Sequence, residues 1–237
     1  MSSLTRSKKK ELYKTRVNSR SLKLDRPSKS HTDTTPIKDV KKIEKMLNYL
    51  KMEIAFNENK GVWNHYIAYR NYILVLVGLN IPLREEDILQ LKAREFIKTR
   101  FETTENKTMK DQKRYLGDDI RKEILKYITV FDIQENEYLF QSRKQGESNN
   151  DLPLSRHQAW RIMKKIGEEI GINQTFGMHS LRKTYGYQYI KNAKNENTAI
   201  LSLQSIYNHA NPITTMRYVQ WNNDDIENSF RNFKIGI

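Results

Sequence analysis

The alternation of apolar and polar residues in the first part of the chain predicts two long helices. Between Pro36 and Ile54 the apolar residues recur three or four positions apart with lysines on the other face, which is typical of an amphipathic helix. The polar segment 57–61 ends this helix. A more apolar helix is predicted over about 64–79, and Pro82 marks the turn that follows it.

After this proline the pattern changes from helical to extended. Residues 83–96 favour a short helix whose apolar residues Ile88, Leu89 and Leu91 face inward. Residues 96–116 place β-branched and aromatic residues around a polar centre, which is typical of a hairpin or a small antiparallel sheet.

Helical patterns return in the second half of the chain, with recognisable ends. Asp118 and Asp119 suit the first turn of one helix, and Ser155 and Gly171 suit the N-cap and C-cap of another. The helices predicted in this half span 118–131, 152–171, 179–193 and 199–209.

The end of the chain predicts two further helices. Asn211 followed by Pro212 resembles an N-cap with proline in the first turn, and the helix that starts there carries Tyr218. Residues 219–237 form a weak amphipathic pattern, so we expect a C-terminal tail helix.

These elements predict a mostly α fold with one small antiparallel β-sheet, which is the α+β class. Residues 1–36 have few large apolar residues and no helical stripe, so we expect a basic, disordered arm there. Residues 37–237 are expected to form one domain, because the sequence shows no internal repeat and no further long linker.

Composition excludes several classes of protein. The chain of 237 residues has no cysteine, which excludes disulfides and thiolate metal sites. Its longest apolar run, 71–83, is too short to span a bilayer, and the N-terminal segment lacks the apolar core of a secretory signal. We therefore expect a soluble, cytoplasmic protein with no membrane partner.

Charge favours a polyanionic partner. Lysine and arginine number 42 against 28 acidic residues, which gives a net charge of +14. Residues 1–36 hold ten basic and three acidic residues, so half of this excess lies in the arm. Basic groups gain affinity for nucleic acid by releasing counterions, although a lysine-rich, well-solvated surface would give the same composition.

Motifs for nucleotide, metal and serine chemistry are absent from the sequence. There is no glycine-rich phosphate loop followed by Lys-Ser/Thr, and the five histidines show no HExxH spacing. No serine stands in the context of a nucleophile elbow. We therefore expect neither a cofactor nor a bound metal.

Two short motifs near the end of the chain combine chemically active residues. In HSLRKT, His179 and Arg182 are three positions apart, which places both side chains on one face of a helix. In HANPITTMRY, nine positions separate His209 from Tyr218. Either motif alone is more often an ordinary part of a surface or a core.

The order of the motifs resembles the tyrosine recombinase (phage integrase) family over residues 37–225. Arg84, in NIPLREEDILQL, matches the family's first arginine, with Asp87 at the acidic position three residues later. His179 and Arg182 match the family's His-x-x-Arg pair. In HANPITTMRY, the histidine matches a position that is His or Trp in the family, and the tyrosine matches the nucleophile.

Two positions match the family less directly. The family keeps a catalytic lysine in the turn between two strands of its small sheet, where Lys107 fits best and Lys110 and Lys113 are alternatives. Asn208 replaces the glycine that usually precedes the histidine of the last motif. Asparagine tolerates the positive φ expected there, so we expect a modest effect.

The matched residues suit the cutting of a phosphodiester without a metal. The forked guanidinium groups of Arg84 and Arg182 can hold the non-bridging oxygens and neutralise the charge of the transition state. Because tyrosine has a reference pKa of about 10, Tyr218 needs this positive site and a base in order to attack.

The resemblance also implies a role for each remaining residue. His179 exchanges a proton with the nucleophile, and Lys107 protonates the departing 5′ oxygen. His209 donates a hydrogen bond to a phosphate oxygen. Asp87 either orients Arg84 or is an ordinary surface carboxylate.

By this resemblance the protein is a site-specific DNA recombinase, of the integrase, invertase or resolvase type, that works through a 3′-phosphotyrosyl intermediate without metal or ATP. The alternatives are a non-catalytic DNA-binding protein on the same fold and a nicking-closing enzyme like type IB topoisomerases. The expected partners are double-stranded DNA and further copies of the chain, in a dimer or tetramer. Residues that hold phosphates do not encode the target site.

Both ends of the chain raise a question about how DNA is held. The arm of 36 residues is too short for the family's helical core-binding domain, so we expect the arm to bind phosphates instead. The tail 219–237 has an apolar edge that suits docking either on a neighbouring copy or on its own chain. This edge consists of Ile226, Phe230 and Phe233.

Overall fold

A computed structural model describes residues 34–97, 101–104, 111–114, 116–142, 152–172 and 175–221, with the backbone alone for the two four-residue segments. The described residues from Thr34 onward belong to one compact unit. The predicted arm lies outside the described residues except for its last three positions, and the predicted tail except for its first three.

The first two helices pack against each other. α1 spans Val40–Glu58 and starts after Asp39, whose side chain accepts a hydrogen bond from the backbone of Lys41. α2 spans Val62–Asn80, and most of its side chains are buried, as expected of a helix that is apolar on all sides. Both predicted helices are confirmed.

The single helix predicted over residues 83–96 is divided into two. α3 spans Glu85–Leu89 and α4 spans Arg94–Ile97. Between them the backbone N–H of Ala93 donates to the carbonyl of Glu137, so it cannot continue a helical ladder. The three residues predicted to face inward are all buried: Ile88, Leu89 and Leu91.

The predicted α+β class is wrong, because the part of the chain that the structure describes is helical and contains no sheet that forms a layer. Extended pairing within the described residues is limited to two isolated bridges and one antiparallel hairpin, in which β1, Phe101–Thr104, pairs with β2, Asp111–Arg114. The strand sequences FETT and DQKR are almost entirely polar. A two-stranded hairpin of this length is too small to form a layer of the core.

Three longer helices follow the hairpin. α5 spans Asp118–Val130, with aspartates in its first turn as predicted. α6 spans Arg156–Ile170 and has the predicted caps, namely a hydrogen-bonding Ser155 and a left-handed Gly171 at φ 76°. α7 spans Met178–Lys191.

Two shorter helices complete the described chain. α8 spans Glu196–Tyr207 and ends at Asn208, which takes the predicted left-handed conformation with φ 55°. α9 spans Pro212–Val219, and its N-cap Asn211 accepts a hydrogen bond from the backbone of Thr214 at 2.8 Å.

α7 lies between a main apolar core and a smaller second cluster, and glycines allow close packing on both sides of it. A Cβ atom on Gly78 of α2 would lie 2.6 Å from the Leu181 side chain. A Cβ atom on Gly186 would lie 2.6 Å from both the Tyr207 hydroxyl and the Val219 side chain. The second cluster joins α7 to α8 and α9 and consists of Ile190, Ala199, Ile200, Leu203, Tyr207 and Val219.

Within the described residues, no helix combines the length and the apolar composition needed to cross a membrane.

Candidate active site

The first two turns of α7 carry three basic residues with very different exposure. His179 is exposed, whereas Arg182 and Lys183 are only 3 % and 5 % exposed. The helix begins at Gly177, whose backbone N–H donates to the Ser180 hydroxyl. Close packing of α7 therefore fixes a buried guanidinium and a buried ammonium next to a histidine at the surface.

Arg182 lies against the rings of two tyrosines. Its guanidinium carbon is 4.6 Å from the ring centre of Tyr207 and 5.9 Å from that of Tyr218. The Tyr207 hydroxyl also donates a hydrogen bond to the backbone carbonyl of Arg182. These contacts hold the guanidinium in place before any substrate arrives, which is the kind of preorganisation that phosphate chemistry requires.

His209 and Tyr218 are in direct contact. Their ring centroids are 5.3 Å apart with planes at 72°, an edge-on arrangement that aromatic rings favour. The Nδ1 atom of His209 lies 3.0 Å from the hydroxyl of Thr215, which is fully buried. Because this hydrogen bond occupies Nδ1, the Nε2 atom is the ring nitrogen that can serve a substrate.

Arg84 stands at the N-cap of α3 and is half-buried. Its positive charge is close enough to His209 to lower the pKa of that imidazole. Asp87, one turn later, is only 5 % exposed. The alternative that Asp87 is an ordinary surface carboxylate is therefore wrong, while its role stays a prediction.

Loss of hydration and neighbouring cations lower the pKa of both histidines of the site. The pKa of His209 is lowered first by burial and then by the charges of Arg182 and Arg84. The pKa of His179 is lowered by partial loss of hydration and by cations that include Arg182 and Arg156, against an opposing effect of a nearby glutamate. Neutral imidazoles can accept protons at pH values where a free histidine begins to be charged.

One face of α6, next to His179, is basic and aromatic. Trp160 is 48 % exposed, stacks on His157 with ring centroids 6.0 Å apart, and has the ammonium of Lys164 5.6 Å above its ring. The exposed basic and aromatic residues of this α6 face are Arg156, His157, Trp160, Arg161, Lys164 and Lys165, and the exposed Glu168 forms an ion pair with Lys164 at 3.8 Å. Exposed basic and aromatic residues at helical spacing suit the backbone of a nucleic acid.

Arg156 connects the α6 face to α3. Its guanidinium lies 3.1 Å from a carboxylate oxygen of Glu86 and 3.6 Å from one of Glu85. α3 begins directly after Arg84, so this ion pair joins the helix behind the first arginine to the helix beside His179. Because Arg156 is largely exposed, the pair adds little to stability and acts mainly on geometry.

The structure thus brings most of the predicted site residues into one neighbourhood. Arg182 contacts Tyr218 and influences both histidines, and Arg84 influences His209. Lys107 and Lys110 lie outside the described residues, and Lys113 is described by its backbone alone, on β2. The choice among these three lysines therefore stays a prediction.

Sequence reasoning missed three groups of residues around the site. Lys183 directly follows Arg182 in HSLRKT, and Thr215 lies within HANPITTMRY, so both stand inside the two recognisable motifs. The α6 face was predicted only as a capped helix. Its signal was available in the run RHQAWRIMKK, where a tryptophan stands among basic residues on the polar side of an amphipathic helix.

Within the described part of the chain, no cluster of three or more histidine or acidic side chains is placed to hold a metal ion.

Comparison with known proteins identifies relatives of the whole described region. A family model described as the phage integrase family matches residues 39–224. The chain is also 34 % identical over 199 residues to "Probable integrase/recombinase YoeC" of Bacillus subtilis (strain 168), a match that covers 84 % of this chain and 96 % of that relative.

Two solved structures share the fold. XerA recombinase matches with a TM-score of 0.60 and 17 % identity, over 90 % of this chain and 69 % of that one. XerH site-specific recombinase, solved on its palindromic difH substrate in a post-cleavage complex, matches with a TM-score of 0.57 and 17 % identity. The match covers 88 % of this chain and 55 % of XerH, so the chain spans about half of that protein.

Proposed function

The chain belongs to the phage integrase family and is a site-specific recombinase, and we propose that Tyr218 is the nucleophile with which it cuts DNA. The observation that supports this assignment is the contact of the Tyr218 ring with His209, beside the buried guanidinium of Arg182. A tyrosine in this position lies beside the positive charge that an attack on a phosphodiester requires, and His179, on the same helix as Arg182, is assigned as the proton acceptor.

The proposed reaction is a transesterification. The Tyr218 hydroxyl gives up its proton, its oxygen forms a bond to phosphorus, and the bond between phosphorus and the 5′ oxygen breaks. The 5′ oxygen leaves as a hydroxyl after taking a proton, and the 3′ phosphate stays on the tyrosine. Attack by the 5′ hydroxyl of a second strand reverses these steps and joins the two strands, so the exchange conserves the number of phosphodiester bonds.

Arg84 and Arg182 hold the scissile phosphate in this proposal. The rings of Tyr207 and Tyr218 already hold Arg182 in place, and Arg84 stands at the start of α3. A guanidinium group can donate two parallel hydrogen bonds to phosphate oxygens and retains its charge at all working pH values. Asp87, buried one turn after Arg84, orients that arginine.

Two histidines and one lysine have roles in the proton transfers and hydrogen bonding of the proposed reaction. As the resemblance implies, we propose that His179 accepts the Tyr218 proton and that His209 donates a hydrogen bond to a phosphate oxygen. The ring contact makes His209 the competing acceptor. Lys107 supplies the proton to the departing 5′ oxygen.

Double-stranded DNA is the substrate, and the α6 face is the surface that we assign to it. Arg156 on this face is close enough to His179 for its charge to lower the pKa of that imidazole. The basic arm, residues 1–36, adds phosphate contacts of little sequence preference. Recombination exchanges strands between two sites, so we propose that the protein acts as a dimer or tetramer on DNA in the cytoplasm.

Trapping the covalent intermediate tests the nucleophile. The duplex carries a candidate site with a nick, so that a short fragment diffuses away after cleavage and the protein stays attached. We expect a denaturation-resistant adduct that Tyr218→Phe abolishes, because phenylalanine keeps the ring contacts and removes only the hydroxyl. Tyr189→Phe, an exposed tyrosine of α7, is the matched control. An adduct that persists in Tyr218→Phe would show that another residue is the nucleophile.

The same assay separates the recombinase from the two alternatives. A DNA-binding protein without chemistry forms no adduct with any site, including those that flank its own gene. A nicking-closing enzyme forms the adduct but produces no recombinant junction from two separate duplexes. The recombinase produces both.

A further inference from the structure

Residues 34–38, which we call the strap, are held along α7 beside the active site. The backbone N–H of Ile37 donates to the Thr184 hydroxyl at 2.7 Å. The side-chain amide of Gln188 donates to the carbonyls of Ile37 at 3.3 Å and Lys38 at 3.0 Å. Ile37 itself is only 5 % exposed and belongs to the main core. The strap is thus anchored at its C-terminal end.

Lys183 connects the other end of the strap to the nucleophile. Its ammonium donates a hydrogen bond to the carbonyl of Thr34 and lies 5.4 Å from the ring centre of Tyr218. The side chain is 5 % exposed, so neither contact is a chance meeting at the surface. Any shift of the Thr34 carbonyl changes the position of a charge that contacts the Tyr218 ring.

A buried ammonium at this point calls for a reason beyond packing. Methionine fills nearly the same volume and loses no hydration when it is buried, whereas a charged amine loses a great deal. A cation against the ring restrains the tyrosine through the cation–π contact. It also attracts the negative charge that develops when the tyrosine oxygen meets a phosphate.

We propose that Lys183 is a positioning residue through which the strap sets the placement of Tyr218. The proposal rests on Tyr218 being the nucleophile. Thr34 is also the residue at which the basic segment 1–33 joins the domain.

The first experiment separates positioning from binding. Full-length Lys183→Met, Lys183→Arg and Lys191→Met proteins are compared with wild type for the single-turnover rate of adduct formation and for the Kd of the nicked duplex. Lys191 is the matched control, because it is an exposed lysine of the same helix with its ammonium 6.0 Å from the ring of Tyr187.

We expect Lys183→Met to slow adduct formation at saturating DNA by about tenfold or more, with Kd within about threefold of wild type. Lys183→Arg should recover most of the rate because it restores the charge, and Lys191→Met should behave as wild type. If Lys183→Met fails to fold, Lys183→Gln replaces it in the same measurements.

The second experiment tests the connection to the strap. Gln188→Leu removes the two amide hydrogen bonds to the strap and leaves Lys183 unchanged. It should slow adduct formation by about threefold in wild type and have no further effect in Lys183→Met, because coupled residues are not additive. Equal, additive effects in both backgrounds would overturn the connection.

The outcomes distinguish this proposal from the proposed function. If wild type forms the adduct, Tyr218→Phe does not, and Lys183→Met reacts at the wild-type rate, then the positioning role is wrong and the nucleophile stands. A positioning role is also wrong if Lys191→Met slows the reaction as much as Lys183→Met. If wild type forms no adduct with any site, both proposals fall together.

Discussion

The imidazole of His209 meets the ring of Tyr218 edge to face, with ring centroids 5.3 Å apart. Two local features produce this contact. The left-handed Asn208 turns the chain at the end of α8, and the cap and proline at the start of α9 direct the helix that carries the tyrosine. Thr215 then holds the imidazole through its Nδ1 atom.

Loss of this imidazole should slow cleavage without weakening DNA binding. We expect His209→Leu to reduce the single-turnover rate of adduct formation by about 10- to 100-fold, because a hydrogen bond to the transition state is removed. Thr215→Val, which removes only the partner of Nδ1, should have a smaller effect in the same direction. Ser205→Ala, an exposed hydroxyl that bonds within its own helix, is the control. A larger loss in Thr215→Val than in His209→Leu would contradict this order.

The two neutral histidines should make stability depend on pH. Their pKa values are lowered in the folded protein, and an unfolded histidine titrates near a pKa of about 6.5. As the pH falls below that value, the unfolded chain binds protons that the folded protein does not, so the free energy of unfolding decreases. The contribution is fully present above pH of about 6.5 and is lost progressively below it.

This pH effect is measured as a difference between variants. Burial raises the pKa of Glu95 to about 7, and that group acts in the opposite direction, since its stabilisation is lost as the pH rises. The free energy of unfolding in urea is measured for wild type and for the double variant His179→Gln, His209→Gln, at pH values above and below the histidine pKa of about 6.5. The double variant should lose less stability on acidification. His157→Gln, an exposed histidine on the α6 face, should retain the wild-type dependence.

Close packing at Gly186 should tolerate no side chain. A Cβ atom there would lie 2.6 Å from the Tyr207 hydroxyl, so Gly186→Ala must displace α7 from α8 and α9. We expect a loss of about 1–3 kcal/mol in the free energy of unfolding and a greater loss of cleavage than of DNA binding. Gly117→Ala is the control, because a Cβ atom there meets nothing within 4 Å. Equal stability of the two variants in urea would refute the prediction.

Deletion of residues 1–30 should weaken DNA binding and reduce its dependence on salt. For each phosphate that the shortened protein no longer binds, the slope of log K against log salt should become shallower by about 0.9. The strap, residues 34–38, stays in place in this deletion, so α7 should be undisturbed. If titrations at several salt concentrations give the same affinity and slope as the full chain, the arm does not bind phosphates.

The catalytic lysine can be identified with a substrate whose departing 5′ oxygen is replaced by sulfur. A thiolate leaves without a proton, so the loss of a general acid no longer matters for this substrate. Lys107→Ala should slow the normal substrate by about 10²- to 10⁴-fold and react with the sulfur substrate at the wild-type rate. Lys110→Ala and Lys113→Ala should react with both substrates at the wild-type rate. If Lys110→Ala or Lys113→Ala is slow with the normal substrate and is restored by the sulfur substrate, that lysine is the general acid instead of Lys107.

Much of the fold could be predicted because its signals are local. Ser155 and Gly171 at the ends of α6, and Asn211 and Pro212 at the start of α9, act within one turn of themselves. The family resemblance, now confirmed, rested on short motifs of the same kind. Residues 96–116 led to the wrong prediction of a small β-sheet. Their β-branched residues favour an extended backbone, but a sheet layer requires an apolar face as well.

By itself, the sequence determined where most of the described helices begin and end and which family the protein joins, and it predicted the polar residues of the site. Only the tertiary structure decided that His209 touches Tyr218, that Arg182 lies against two tyrosine rings, and that Lys183 binds Thr34. Thr34 and Lys183 are 149 positions apart, and no periodic pattern connects them. Caps and periodicity depend on neighbours in the chain, whereas such contacts depend on how all the helices pack.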